Sequence, residues 1–343
     1  ARLNPHAFED ESRKPSPISA EHLELAGSLE MQGLRSHGPI SLKAADIGGD
    51  VDLSGASIAY WAGASQWSWA SIDLENASIA GDLRINRYVR HGLEPGLADD
   101  ARVKAIDELA PTLLGGAVDA ENARIGGSVL ACHCHVLGDL DFRGARIAHN
   151  LSIFGLPGAT PLPAAVRATV VDGEICAYEA SVGGYIHLDG TVCRQIDLNF
   201  VDAKALFVHP EPESGAGLPL IVVGLPGGGA GSAACFSLDH ARIGGISVKG
   251  LRLGTGLRGV GMRVEGDFRL NAADGMPAAF AEALSCAERI LEFVESLTEP
   301  ESSRASRAGA GAIQRFRGEA RRLVGEGEAQ EASTVLHSRI DGS

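Results

Sequence analysis

The chain has 343 residues, of which 45% are hydrophobic and 5% aromatic, with 44 glycines and a formal charge of −14. An acidic balance of that size argues against direct nucleic-acid binding, and no apolar run approaches the roughly 18 residues that cross a bilayer. The six cysteines, at 132, 134, 176, 193, 235 and 286, have neither the density nor the spacing of a disulfide framework, which fits a reducing cytoplasm.

Residues 1–17, with Pro5 and Pro15 in a mixed charge run, read as a flexible lead-in. From Ile18 to residue 276 short apolar alternations recur: Val51-Asp-Leu-Ser-Gly with Ala56-Ser-Ile, Ile72-Asp-Leu-Glu-Asn with Ala77-Ser-Ile-Ala-Gly, and Val118-Asp-Ala-Glu-Asn with Ala123-Arg-Ile-Gly-Gly. The pattern is densest from Phe236 to Gly266, where units of five residues follow one another and glycine closes most of them. A period of five suits neither a helix nor a long strand. It suits a short extended segment followed by a corner, four of which close a square coil of about twenty residues. Val51 to Ile72 and Val118 to Leu140 are then one coil each plus a small corner insertion. On that spacing Asp52 stacks over Asp73, Asp119 over Asp141, and Arg124 over Arg146, with Arg242 at the equivalent unit position.

Three interruptions, at 86–117, 155–165 and 209–232, read as loops on the coil corners, the first holding a short helix at 99–109 before Pro111. After Pro277 the period changes. Phe280, Leu284, Ala287, Leu291, Val294 and Leu297 fall at helical spacing, so 277–343 is expected to be a helical cap or interaction module. A cap would cover strand edges that a solenoid otherwise leaves open.

The units V-D-L-S-G, I-D-L-E-N and F-S-L-D-H, each followed by A-S-I or A-R-I, resemble diverged pentapeptide repeats over roughly residues 40–270. That resemblance implies an all-β fold, a right-handed quadrilateral parallel β-helix, here with a helical C-terminal segment. Ile and Val replace the family's usual Leu or Phe at the central position, and Gly-Gly corners are added. The phrase A-R-I-G-G also resembles a group of bacterial proteins labelled membrane-associated oxidoreductase, a chemistry that nothing in the repeat itself implies.

The candidate chemistry is sparse. Gly227, Gly229 and Gly231 follow the apolar run Leu220-Ile-Val-Val and match part of a dinucleotide fingerprint. No βαβ unit follows, and Asp239 comes too early for the ribose. A corner loop and no cofactor is the preferred reading. Cys132, His133, Cys134 and His135 offer metal donors, but not in two matched pairs; core cysteines with exposed histidines are preferred. Gly48-Gly-Asp50-Val-Asp52 resembles a calcium-binding β-roll repeat without its third glycine or tandem period. Trp61, Trp67 and Trp69 suit a covered coil end better than a sugar platform.

The reading that results is a non-catalytic solenoid scaffold for a protein partner, with Asp52, Asp73, Asp119, Asp141, Phe280, Leu284 and Leu291 as candidate contact residues. A homo-oligomer and peripheral membrane association are compatible with it. Two alternatives stay open: an acidic DNA mimic that regulates a type II topoisomerase, as some pentapeptide-repeat proteins do, and a β-helical oxidoreductase or polysaccharide-acting enzyme. The stacked arginines make the surface mixed in charge, which is also what an ordinary solubilising surface looks like.

Overall fold

Alternate side chains of an extended segment point to the same side. Ile40 and Leu42, Ala45 and Ile47, Val51 and Leu53, and Ala56 and Ile58 are four such pairs, and all eight residues are buried. Each pair fills one side of a coil, and the residues between pairs turn the corners. The structure, a computed structural model, describes residues 18–36, 38–58, 70–86, 112–155, 168–208, 220–222, 235–253 and 256–272. Among them every strand pairing is parallel, coil upon coil, in four ladders.

The first face stacks Ile18, Ile40, Ile72, Val118, Leu140, Ile175, Ile196, Phe236 and Leu257. The second stacks Leu25, Ile47, Ile79, Ile125, Ile147, Val182, Ala203, Ile243 and Val264. The third runs from Leu29 and Val51 through Leu151 to Phe268, and the fourth from Ser36 and Ile58 through Val136 to Val222 and Leu253. The expected parallel β-helical solenoid is therefore the fold. Its core is one continuous cluster of Ile, Leu, Val and Ala with only a few larger side chains, among them Phe142 and Phe236. No coil could bury enough apolar surface alone.

The corners explain the punctuation of the repeat. After the first face the chain passes through a left-handed residue in every coil: His22, Ala44, Asn76, Asn122, Gly144, Glu179, Phe200, His240 and Gly261. Glycine and asparagine tolerate that conformation best, so they close many of the units. Between the second and third faces a side chain of one coil accepts a backbone N–H of the next. Asp50 N–H donates to Ser28 Oγ (3.1 Å), Asp82 N–H to Asp50 Oδ1 (2.8 Å) and Ser128 N–H to Asp82 Oδ1 (2.8 Å). Glycine precedes each of these residues, and Gly-Gly precedes Asp50 and Ser128, because of close approach. A β-carbon at Gly126 would lie 2.4 Å from the Ala80 carbonyl oxygen, and one at Gly127 would lie 2.2 Å from Asp82 Oδ1. The Gly48-Gly-Asp50 motif is a corner of this kind.

Two expectations need correction. Val118 to Leu140 is one coil, but Val51 to Ile72 is not: Val51 belongs to the third face and Ile72 to the first. Residues 59–69 are added between Ile58 and Ala70, and half a coil plus that addition happens to match a full turn in sequence length. Asp52 therefore stacks between Glu30 and Arg84, whereas Asp73 stacks between Ser41 and Asp119. The interruptions are also shorter than their sequence suggested. Thr112–Leu114, Ala117–Asp119 and Leu220–Val222 lie in the ladders. Thr112, Leu113 and Leu114 are all buried, so no in–out alternation marks them as a strand.

All the added lengths adjoin the fourth face. Residues 87–111, 156–167 and 209–219 precede its strands, and 59–69 and 223–234 follow them. Four outward positions of that face, Leu113, His135, Val170 and Val192, are nevertheless buried, at 7% exposure or less, whereas Arg35 and Ser57 in the first coils of the same column are exposed and half-buried. No helix among the described residues is long and apolar enough to cross a membrane. The expected lead-in at 1–17, the helix at 99–109, the three tryptophans and the helical segment at 277–343 lie outside the described residues, and so do Gly227, Gly229, Gly231, Phe280, Leu284 and Leu291.

Candidate interaction surface

The aspartates of the repeat first serve the corners. Asp73 Oδ1 accepts Glu75 N–H (3.0 Å), Asp119 Oδ1 accepts Glu121 N–H (3.1 Å) and Asp141 Oδ1 accepts Arg143 N–H (3.0 Å). Asp52 does the same for Ser54 at 2.8 Å. A short polar side chain that bonds the backbone two residues on is a turn device, and it costs the carboxylates exposure. Asp52 and Asp141 are buried, and Asp73 and Asp119 are half-buried.

Stacking Asp73, Asp119 and Asp141 on the first face has an electrostatic cost. Burial, then neighbouring Asp141, Asp73 and Glu121, push Asp119 up to about 6. Burial and Asp197, Asp139 and Asp141 push Glu174 up to about 7. Arginine relieves part of the repulsion, since Arg143 binds Asp141 at 2.7 Å and Glu121 at 3.1 Å. Two groups, Asp119–Glu121–Asp141 and Glu174–Cys176–Asp197, bring donor atoms within 4.8 Å of one another. Cys176 takes the place of an aspartate in this column, between Asp141 and Asp197.

The four-residue run Cys132–His135 does not converge. A corner falls at His133, in the left-handed region at φ 52°. Val129–Cys132 ends on one side of it and Cys134–Val136 begins on the other. Cys134 enters the core as expected, but both histidines are buried rather than exposed. His135 points outward on the covered fourth face, and burial lowers it to about 4. None of the four residues joins a cluster of metal donors among the described residues.

The second face is built differently. Its outward column reads Glu24, Asp46, Ser78, Arg124, Arg146, Ser181, Asp202, Arg242 and Arg263, and all but Ser78 are exposed. Two residues further along each strand comes a second outward column, Ala26, Gly48, Ala80, Gly126, Ala148, Gly183, Lys204, Gly244 and Glu265. It is nearly all glycine and alanine. The result is a flat floor with one row of charges, and no added chain length interrupts either of its corners. Asp46, Arg124, Arg146, Asp202, Arg242 and Arg263 make no side-chain hydrogen bond or ion pair among the described residues, whereas Arg84, Arg143, Arg194 and Arg258 each hold a carboxylate.

Aromatic rings border this floor on both sides. On one corner Tyr178 meets Phe200 edge-on, and Phe200 stacks on His240 at 4.9 Å. On the third face Phe154 stacks on His187 at 5.3 Å, and Tyr185 lies edge-on to Phe207. His187 Nε2 is 2.5 Å from Asp189 Oδ2. Phe200 is 46% exposed and Tyr185 41%, which places two large rings in solvent beside the charged row. Exposed aromatics and arginines are the residue types enriched in protein interfaces.

Arg124 over Arg146 was legible from the repeat. Asp46, Asp202, Arg263 and the aromatic borders were not singled out, although the residue before each inward Ile or Val of the A-x-I units carried the signal. No family model matches the chain, and no curated protein or solved structure does either.

Proposed function

We propose that the chain is a non-catalytic solenoid scaffold of diverged pentapeptide-repeat type, and that its second face is the wall it offers to a protein partner. The observation that carries this is the exposed column of four arginines, Arg124, Arg146, Arg242 and Arg263, without carboxylate partners among the described residues. A flat floor of small residues and an aromatic border suit docking by another folded surface. The capping role of Asp73, Asp119 and Asp141 favours this reading over an acidic mimic of DNA, because a mimic needs its carboxylates free to meet the partner's cations.

The test places a photo-crosslinking residue at Ala148 or Ser181 of the full chain in native extract. The expected result is a discrete protein adduct that disappears when the four arginines are changed to glutamate. An absence of adducts, or adducts indifferent to the arginines, would contradict the proposal.

A further inference from the structure

The charge sequence along the second face is complementary to its own reverse. Acids come first (Glu24, Asp46), a serine follows, two arginines occupy the middle, then a serine and Asp202, and two arginines come last. We propose that this wall docks on the same wall of a second copy, with solenoid axes antiparallel and a two-fold axis between the rungs of Arg146 and Ser181. This names the partner for the contact reading above and rests on it.

In that register Asp46 faces Arg263 of the second copy, Ser78 faces Arg242, Arg124 faces Asp202, and Arg146 faces Ser181. Two-fold symmetry makes each contact twice, so four ion pairs form and no like charges meet. Neighbouring registers bring like charges together. A slip of one rung in one direction also forms four ion pairs, Glu24 with Arg263 and Asp46 with Arg242, but sets Arg146 against itself on the two-fold axis, and a slip in the other sets Arg124 against Arg242. A slip of two rungs toward the N-terminal end sets Asp46 against Asp202. Like charges brought together at an interface are costly, so the pattern favours the register without them, and the Asp46–Arg263 pair distinguishes it from its neighbours. The second outward column adds little obstruction, because Gly48, Ala80, Gly126, Ala148, Gly183 and Gly244 let two flat faces approach closely.

Rungs are about 4.8 Å apart, so the strip from Asp46 to Arg263 is about 34 Å long. With a width of about 12 Å it covers on the order of 400 Å² per copy, below the roughly 800 Å² of a standard tight interface. A dimer with Kd in the micromolar range is therefore expected, weakened by salt.

Sedimentation equilibrium of the full chain tests this with four proteins: wild type, Asp46→Arg, Arg263→Asp, and the double variant. Expected are a dimer in the wild type, a loss of at least tenfold in affinity in each single variant, and recovery in the double variant. Recovery requires those two positions to face each other, and all the altered side chains are exposed, so circular dichroism should show the fold unchanged. A wild type that stays monomeric to about 500 µM overturns the proposal, and so does a dimer indifferent to the single reversals. If the chain is monomeric but the arginine-dependent crosslinks to another protein persist, self-docking falls and the contact reading stands. If both vanish, both fall.

Discussion

The second and fourth faces are made by the same kind of strand in the same coils, yet over the middle coils their outward sides differ. On the fourth, Leu113, His135, Val170 and Val192 are apolar or neutral and buried, and every added length of chain adjoins it. On the second, the equivalent positions are charged or small and, apart from half-buried Ser78, exposed, and its corners vary by no more than one residue from coil to coil. Ladder pairing and core filling are shared, so they cannot explain the difference. Outward chemistry can: the middle coils of one face carry apolar or neutral residues that are buried, and the other face is bare, with its charges unmatched among the described residues.

The sharpest way to break this contrast is to put one side chain on both walls. Val170→Lys should cost about 3 kcal/mol or more, because an ammonium at a buried outward position has no partner. Ser181→Lys, in the next coil on the bare wall, should stay within about 0.5 kcal/mol of wild type. Denaturant melts of both proteins make the comparison, and equal effects would erase the distinction between the faces.

Smaller effects come from the corners. Gly126→Ala drives a β-carbon toward the Ala80 carbonyl oxygen and should cost about 1–3 kcal/mol, although the site is exposed. Asp141→Ala removes a corner cap and the partner of Arg143 at a buried site, for a loss of about 1–2 kcal/mol. Asp202→Ala on the second face should leave monomer stability unchanged. A large effect there would mean that Asp202 is a structural residue like Asp141.

A further effect depends on pH. His135 is held neutral on the covered face, with its value lowered from 6.5 to about 4. The folded state therefore binds fewer protons than the unfolded chain between those values, and the stability contributed above 6.5 is lost as pH falls toward 4. His135→Leu should remove that part of the acid sensitivity and leave the slope elsewhere unchanged. A melting temperature that falls equally steeply over that window in both proteins would place the imidazole in solvent.

The fold was legible because the inward residues report it directly. Ile, Val, Leu and Ala recur at unit spacing, and a parallel ladder must stack like on like. The coil boundaries were less legible, since 59–69 added just enough chain to make Val51 and Ile72 resemble stacked neighbours. Val118 and Leu140, with nothing added between them, were placed correctly. Aspartate was conspicuous in the sequence but serves the backbone. The charges with no partner sit one residue before an inward Ile, Val or Ala, and their significance appears only when nine coils are aligned. The burial of His133 and His135 is not legible in sequence, because plain strand alternation does not register the corner at His133.

The central claim is that the second face, alone among the charged surfaces described, is a contact wall shared by two copies. Arginine modification read by mass spectrometry at rising protein concentration tests it residue by residue. Arg124, Arg146, Arg242 and Arg263 should become protected together, while Arg258, 56% exposed on the first face, keeps its reactivity. Equal reactivity of all five at every concentration, or protection of Arg258 instead, would contradict the account.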